Sequence, residues 1–353
     1  MNKFKSIDLF AGCGGLMDGF EQSGFYETLA VVEWEKAPCR NIQIRLRDKW
    51  NYTDSEKRVL NFDIQRTEEL FNGWKEDEVY GSHTGLDSII NQNNGIDLII
   101  GGPPCQAYSI AGRVRDENGM KNDYRNYLFE SYLKVVERYK PKVFVFENVP
   151  GILSAKPGDR NIIEIIKESF DNAGYQVLDD LKNAILDFTD YGVPQNRKRI
   201  IIFAIRKDIY GNDNSLNLVK KFYHEYLPKY KVSKKATTKD AIGDLPKLYP
   251  LKEDEKYNGK RISNSLPEPF VPNHIARWQS PRDREIFKLL TEDIEKKEFK
   301  YISTEALKDL YTKYTGHKSN VHKYHVIQWD EPSNLIPAHS RVEFVGVNSF
   351  FSA

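Results

Sequence analysis

The sequence predicts an α/β fold with a mostly parallel sheet and helices on both of its faces. Residues 1–206 alternate short segments rich in Ile, Val, Leu and Phe with longer segments of helical periodicity. Such alternation is typical of β-α-β units, which assemble into parallel sheets. In these sheets ligands bind beyond the carboxyl ends of the strands, and the motifs described below fall at such ends.

The alternating region contains five predicted strands and four predicted helices. The predicted strands are residues 6–10, 29–33, 95–100, 142–147 and 199–205. The predicted helices are residues 16–23, 37–46, 127–139 and 161–173. Residues 207–322 are richer in Lys, Tyr and Pro and carry irregular turn signals, which predicts a second, smaller domain. Within it, residues 291–311 are predicted to form a charged surface helix.

Composition places the chain among cytoplasmic proteins. Its 353 residues are 40% hydrophobic, and no apolar run reaches the roughly 18 residues of a membrane helix. The N-terminus leads straight into a strand pattern, so we expect no secretory signal and no membrane partner. Cys13, Cys39 and Cys105 are odd in number and widely spaced, which predicts neither a disulfide framework nor a metal site.

Charge is distributed unevenly along the chain. Residues 1–206 carry 27 basic and 31 acidic side chains, whereas residues 207–353 carry 25 and 20. The run KYKVSKKATTK (229–239) holds five lysines and no acid, and tyrosines lie close to it. Such a run suits a nucleic-acid backbone, but a solvated lysine-rich face explains it equally well.

A glycine-rich turn follows the first predicted strand. In IDLFAGCGGLMDGF (7–20), Gly12 and Gly14 lie between a strand and a helix, where the backbone can approach a ligand closely. Glu33 ends the next strand, 21 residues after Gly12, where nucleoside-binding folds place an acid against ribose hydroxyls. Trp34 follows and is suited to stacking on a base. A nicotinamide enzyme remains an alternative, although the glycine spacing is not GxGxxG.

The stretch GGPPCQAYS (101–109) places a cysteine in a stiff loop just after a buried strand. The two prolines fix their backbone angles and hold Cys105 rigidly. This pattern is compatible with a nucleophile, but a small packed hydrophobe is the commoner role for a lone cysteine.

Four stretches in order resemble the DNA cytosine-5 methyltransferases of bacterial restriction-modification systems. They are DLFAGCGGL, GGPPCQAYS, FENVPG and DYGVPQNRKR. The resemblance covers residues 6–206 well, 324–338 weakly and 207–322 hardly at all. It implies a Rossmann-like, S-adenosylmethionine-dependent methyltransferase domain at 1–206, a target-recognition domain at 207–322 that reads double-stranded DNA, and a return segment at 323–353.

The resemblance also assigns roles to individual residues. It implies that Cys105 adds to carbon 6 of cytosine, that Glu147 protonates or hydrogen-bonds the ring nitrogen, that Arg199 contacts the base carbonyl and orients Glu147, and that Arg197 supports the cysteine loop. The positions matching cofactor contacts are Phe10, Gly12, Gly14, Glu33, Trp34, Asp63, Ile64 and Pro103. The positions expected to contact DNA are Gln106, Ser109, Arg113 and Gln195.

The return segment departs from the family pattern. Residues 324–333 resemble the usual lead-in, but the expected arginine-led helix and Gly-Asn-Ser/Ala-Val motif do not follow. A truncated product, a subunit completed by a second polypeptide and a family variant each explain this. If the chain is a truncated product or a subunit that lacks its partner, we expect weak cofactor binding and an exposed apolar patch.

The resulting functional prediction is transfer of a methyl group to carbon 5 of a flipped cytosine in a specific duplex sequence. This activity would protect host DNA from a cognate restriction endonuclease, a functional and not necessarily physical partner. One alternative is a tRNA cytosine-5 methyltransferase, whose usual Cys-Phe-Thr insertion is absent here. The other is a partner-dependent chain that binds DNA without turnover on its own.

Overall fold

A computed structural model describes residues 3–104, 128–156, 160–318, 324 and 327–334. Packing divides the chain into two compact units. The first comprises Met1–Leu186 with Lys198–Tyr230, and the second comprises Asp187–Arg197 with Lys231–Ala353. The boundaries of the target-recognition domain stay a prediction.

Strands of the first unit build a central sheet. Among the described residues it has eight strands in the order β3-β2-β1-β6-β7-β10-β8, and β9 pairs with β10. The pairs from β3 through β7 are parallel, whereas β10 is antiparallel to both β7 and β8. The strands of the chain are β1 (Phe4–Leu9), β2 (Tyr26–Glu33), β3 (Val59–Asn61), β4 (Trp74–Asp77), β5 (Gly81–His83), β6 (Leu98–Gly101), β7 (Val143–Asn148), β8 (Tyr175–Gln176), β9 (Ile185–Asp187), β10 (Lys198–Arg206), β11 (Pro250–Tyr257) and β12 (Lys260–Asn264).

Helices pack on both faces of this sheet. The helices of the described residues, in both units, are α1 (Gly15–Gln22), α2 (Lys36–Asp48), α3 (Ser55–Arg58), α4 (Thr67–Asn72), α5 (Gly85–Gln92), α6 (Leu128–Tyr139), α7 (Ile162–Asn172), α8 (Lys207–Tyr210), α9 (Asn212–Lys221), α10 (Thr238–Ile242), α11 (Pro281–Glu295) and α12 (Thr304–Thr315), of which α10 to α12 belong to the second unit. None of the described helices is long and apolar enough to cross a membrane.

The central strands are apolar on both faces because two layers of helices cover them. On β6, Ile99 joins the larger core, which α4 to α7 also line. Its neighbours Leu98 and Ile100 point to the opposite layer, against Leu16 and Phe20 of α1. A strand that is covered on both sides has a continuous run of apolar residues, and the sequence of β6 has such a run.

The predicted α/β fold is confirmed. Each of the five predicted strands and four predicted helices is present, with ends that differ by at most three residues. The prediction of one helix over residues 291–311 is wrong. The chain turns between α11 and α12, where Lys297 and Phe299 have positive φ, and the Asp293 carboxylate accepts hydrogen bonds from the backbone N–H groups of Lys300 and Tyr301.

A tyrosine completes the hydrogen bonding of β10 where no strand pairs with it. The Tyr223 hydroxyl donates to the Ile201 carbonyl at 2.6 Å and accepts from the Phe203 backbone N–H at 2.8 Å. Tyr223 is buried. One side chain therefore satisfies both the donor and the acceptor that a neighbouring strand would satisfy.

Candidate active site

The carboxyl ends of five parallel strands form one edge of the sheet. In spatial order, β3, β2, β1, β6 and β7 end beside one another, and the antiparallel β10 begins at the same edge. The direction of strand order reverses between β1 and β6, which is the usual place for a ligand in an open α/β sheet. The described residues of this candidate active site are Phe10, Gly12, Gly14, Glu33, Trp34, Asp63, Ile64, Gly102, Pro103, Glu147, Asn148 and Arg199.

The loop after β1 has an unusual backbone. Phe10, Gly12 and Gly14 all have positive φ, at 56°, 55° and 77°. A positive φ is costly for phenylalanine and is typical of functional loops. A Cβ added at Gly12 would meet nothing within 4 Å, whereas at Gly14 it would meet Ile42 and Met17 at 3.0 Å. Gly14 therefore allows close helix packing, and Gly12 leaves open space for a ligand.

Glu33 is fixed beneath this loop. Its Oε2 accepts a hydrogen bond from the Gly12 backbone N–H at 2.8 Å, and its Oε1 accepts one from the Glu35 N–H at 2.9 Å. The residue is 8% exposed. Each carboxylate oxygen retains a further lone pair, so Glu33 can accept hydrogen bonds from a ligand without losing its backbone partners.

Cys39 lies behind Glu33 and is chemically unlike an activated thiol. Its Sγ donates to the Glu33 carbonyl at 3.3 Å, and burial, followed by the charge of Glu33, raises the pKa of Cys39 to about 12. A buried thiol with such a pKa stays protonated and unreactive at neutral pH.

Asp8, near the end of β1, bonds to the helix that follows this loop, and sequence reasoning missed it. Its Oδ2 accepts a hydrogen bond from the Met17 backbone N–H at 3.0 Å, in the first turn of α1. Its buried Oδ1 has no hydrogen-bond partner in the part of the chain that the structure describes. Burial raises the pKa of Asp8 to about 8, the bond from Met17 opposes this rise, and the charge of Glu33 adds to it. A carboxyl in the middle of an apolar strand was the available sequence signal.

The predicted base-binding residues lie at the ends of β2 and β3. Trp34 is 54% exposed, and its carbonyl accepts a hydrogen bond from Asn61 Nδ2 at 2.6 Å. Ile64 is buried, and the half-buried Asp63 accepts a hydrogen bond from the Gln65 backbone N–H through Oδ1. Because β2 and β3 pair directly, Trp34 and Asp63 end neighbouring strands.

The predicted acid and arginine meet in an ion pair. Arg199 Nε lies 2.9 Å from Glu147 Oε1, and both side chains are largely buried. Arg199 also donates to the Lys198 carbonyl through Nη1 at 2.8 Å. The guanidinium is therefore held from two sides and fixes one oxygen of the carboxylate.

The loop that leads to Cys105 approaches this ion pair closely. A Cβ added at Gly102 would lie 2.8 Å from Glu147 Oε2, so only glycine fits there without displacing the carboxylate. Asn148 is buried, donates through Nδ2 to the carbonyl of the buried Pro103 at 3.4 Å, and accepts the Val149 N–H through Oδ1 at 2.7 Å. These contacts position the start of the Pro-Pro-Cys stretch against the end of β7.

For the other predicted site residues, the assigned roles stay predictions. Cys105, Gln106, Ser109 and Arg113 fall outside the described residues. Arg197 belongs to the second unit, where its carbonyl accepts the Phe188 N–H at 2.9 Å.

Within the second unit, the Gln-Asn-Arg stretch pairs with the return segment. Gln195 forms a parallel bridge with Ser333, and the Asn196 N–H donates to the Ser333 carbonyl at 2.7 Å. The lead-in motif of the return segment is thus anchored beside the stretch that precedes β10.

Part of the lysine-rich run is neutralised internally. Lys231 and Lys235 both lie within ion-pairing distance of Asp190, at 3.1 and 3.5 Å. The hydrogen bond from Lys231 is the main reason that the pKa of Asp190 is lowered.

The described residues contain no group of three or more His, Cys, Asp or Glu side chains arranged to hold a metal ion.

The strand order defines a Rossmann-like α/β fold. A solved structure with the same fold is a protein encoded within an E. coli prophage and described as a DNA modification methyltransferase, with a TM-score of 0.51 and 19% identity over 94% of this chain and 82% of that chain. The sequence profile of the C-5 cytosine-specific DNA methylases matches residues 4–342. The chain belongs to this family and is a DNA cytosine-5 methyltransferase.

Curated relatives are methyltransferases of type II restriction-modification systems. Type II methyltransferase M.Bpa9945I of Bacillus paralicheniformis is 34% identical over 392 aligned positions, which cover 94% of this chain and 83% of the relative. Type II methyltransferase M.DdeI of Desulfomicrobium norvegicum is 32% identical over 78% of this chain, which spans only 58% of that relative.

Proposed function

We propose that this chain transfers a methyl group from S-adenosylmethionine to carbon 5 of a cytosine extruded from duplex DNA, through a transient covalent bond from Cys105. The observation that carries this proposal is the Glu147–Arg199 ion pair at 2.9 Å, with Gly102 directly beside Glu147. Cys105 is three residues after Gly102 in the sequence, which supports a nucleophile close to the acid.

The residues around Gly12 fit a nucleoside cofactor. The open space at Gly12 admits a ligand against the backbone, and Glu33 has lone pairs available for ribose hydroxyls. The exposed face of Trp34 suits stacking on adenine, and Asp63 suits its exocyclic amine. When bound there, S-adenosylmethionine supplies an electrophilic methyl group.

The chain's own residues then act on the pyrimidine. The Cys105 thiolate adds to carbon 6, and the electron pair of the 5,6 double bond becomes available at carbon 5. Glu147 protonates or hydrogen-bonds the ring nitrogen as charge develops, and Arg199 keeps Glu147 oriented. After methyl transfer, a water removes the proton at carbon 5 and the thiolate is expelled. The Cys105 thiolate is therefore regenerated, the 5,6 double bond forms again, and carbon 5 carries the methyl group in place of its proton.

The substrate must leave the base stack to reach this edge of the sheet. Gln106, Ser109, Arg113 and Gln195 are proposed to contact the DNA around the extruded cytosine. Methylation in the cytoplasm would then protect the host sequence from a cognate restriction endonuclease.

The test is methyl transfer from radiolabelled S-adenosylmethionine to a mixed-sequence duplex and, in a parallel arm, to tRNA. We expect label on cytosine in the duplex and none after Cys105→Ala, with the circular dichroism of the variant unchanged. Label on tRNA alone would support the tRNA alternative. DNA retention without label, even after addition of cell extract, would show a binding protein and overturn the proposal.

A further inference from the structure

The hairpin of β11 and β12 is an exposed two-stranded ribbon within the second unit. Asn258 and Gly259 form its two-residue turn with φ of 47° and 74°, a backbone that follows the twist of the two strands. Residues 252–256 are all exposed, whereas Ser263 is buried, and its hydroxyl accepts the Gln279 N–H at 3.0 Å. One end of the ribbon is therefore anchored to the unit. A two-stranded ribbon is one of the elements that the major groove of DNA admits.

One face of the ribbon carries two cations directly opposite each other. The register pairs Lys256 with Arg261, so both side chains project from the same face. Like charges in this position destabilise an antiparallel pair of strands. Glu255, the neighbour of Lys256 in β11, projects from the other face. The arrangement is unfavourable for the hairpin itself and suits a partner that presents electron-rich acceptors to this face.

Arg261 is oriented by the side chains beside it. Its Nε lies 3.7 Å from Asp254 Oδ2, and its guanidinium lies over the Trp278 ring, 5.1 Å from the centroid. Trp278 Nε1 donates to the same Asp254 oxygen at 2.6 Å, and Arg284 Nη2 of α11 lies 3.4 Å from Asp254 Oδ1. The Asp254 side chain is 22% exposed, whereas that of Arg261 is 62% exposed. The carboxylate and the indole therefore hold one side of the guanidinium, and the other side faces solvent.

The solvent-facing side of Arg261 is a planar pair of donors. Within the described ranges, neither of its Nη groups has a hydrogen-bond partner. Such a pair matches two acceptors that lie side by side, as in a phosphate or in O6 and N7 of guanine. A phosphate needs only a point charge, which lysine supplies, whereas a base edge requires an aimed guanidinium. The stacking on Trp278 and the position on a protruding ribbon favour the base edge.

We propose that the β11–β12 ribbon enters the major groove of the substrate DNA and that Arg261 reads a guanine there through two hydrogen bonds, to O6 and N7. This inference rests on the proposed function and adds a specificity-determining residue to it. Asp254 and Trp278 are positioning residues that aim the guanidinium. Lys256, on the same face, adds positive charge that attracts the DNA.

The test is methylation of a duplex pool of randomised sequence, followed by sequencing of the methylated products. We expect the unmodified chain to require guanine at one or more positions of the recovered sequence. Arg261→Lys keeps the charge and removes the planar pair of donors. The preference for guanine at one position should therefore fall by about ten- to a hundredfold, while the salt dependence of DNA binding stays the same.

The matched control is Lys260→Ala, which removes an exposed cation from the same ribbon. Loss of a charge that acts on the DNA backbone weakens binding to all sequences alike and reduces its salt dependence. We therefore expect the recovered sequence to be unchanged in this variant. Circular dichroism should show that both variants keep the fold, since both side chains are exposed.

Replacement of the guanine by 7-deazaguanine separates base reading from a structural role. The analogue still pairs with cytosine but lacks the N7 acceptor, so methylation by the unmodified chain should fall, and Arg261→Lys should respond much less. The same recovered sequence for Arg261→Lys and the unmodified chain would overturn the inference, as would a loss spread evenly over all sequences. Either result leaves methylation itself intact. If the unmodified chain methylates no duplex, the proposed function fails, and the inference fails with it.

Discussion

Gly102→Ala is the substitution that most sharply tests the geometry of the active site. The added methyl group would lie 2.8 Å from Glu147 Oε2, whereas an ordinary contact begins at about 3.4 Å. The carboxylate must therefore withdraw by about 0.6 Å, and because its other oxygen lies 2.9 Å from Arg199 Nε, we expect this shift to disturb the ion pair. Misplacement of a reacting group by about 1 Å costs on the order of a hundredfold in rate. We expect kcat to fall by about ten- to a hundredfold.

The assay is steady-state methylation of duplex DNA, with kcat and the two KM values determined separately. Two other glycines provide the controls. Gly101→Ala would place its Cβ 2.6 Å from the Leu9 carbonyl, so it should impair folding, whereas Gly19→Ala meets nothing within 4 Å and should leave folding and rate unchanged. A folded Gly102→Ala protein with the kcat of the unmodified chain would refute the inferred role of Glu147 beside the cysteine loop.

Two further predictions concern stability. Asp8 has a folded-state pKa of about 8, above its ordinary value near 4, so the folded state holds the proton more tightly and stability falls as the pH rises from about 4 to 8. Asp8→Asn can still accept the hydrogen bond from the Met17 N–H, and it should reduce the difference between the free energies of unfolding measured in urea at pH 5 and at pH 8. An unchanged difference would contradict the raised pKa of the buried Asp8. Tyr223→Phe removes the partner of both the Ile201 carbonyl and the Phe203 N–H, and should lower the free energy of unfolding by about 2 kcal/mol. No loss of stability would mean that water replaces the hydroxyl.

The fold was largely predictable because its central strands carry a strong periodic signal. Short apolar runs such as Ile99 and its neighbours, bounded by turn residues, predict buried strands. The parallel order of these strands then brings their carboxyl ends to one edge of the sheet. The pairing of Glu147 with Arg199 was also accessible, since the resemblance assigned Arg199 the role of orienting Glu147. The β4–β5 hairpin was not predictable, because its stability comes from Trp74 stacking on Phe62, a contact that no local pattern encodes.

Two features of the candidate site depend on tertiary contacts in the same way. Gly102 looks like any loop glycine until the Glu147 carboxylate is placed beside it. Asp8 looks like a strand residue until its bond to Met17 shows that it anchors the helix after the cofactor loop. Sequence motifs therefore predicted the candidate reacting groups, whereas the roles of Gly102 and Asp8 emerged only from packing.

The most direct measurement of the proposed chemistry uses duplex DNA containing 5-fluorocytosine in the recognised sequence. Fluorine at carbon 5 blocks the final loss of a proton, so the bond between sulfur and carbon 6 should persist after methyl transfer. We predict a stable protein–DNA complex that requires S-adenosylmethionine and whose cross-linked peptide, identified by mass spectrometry, contains Cys105. A preparation that methylates ordinary DNA yet forms no such complex, or forms it through another residue, would contradict the covalent role of Cys105.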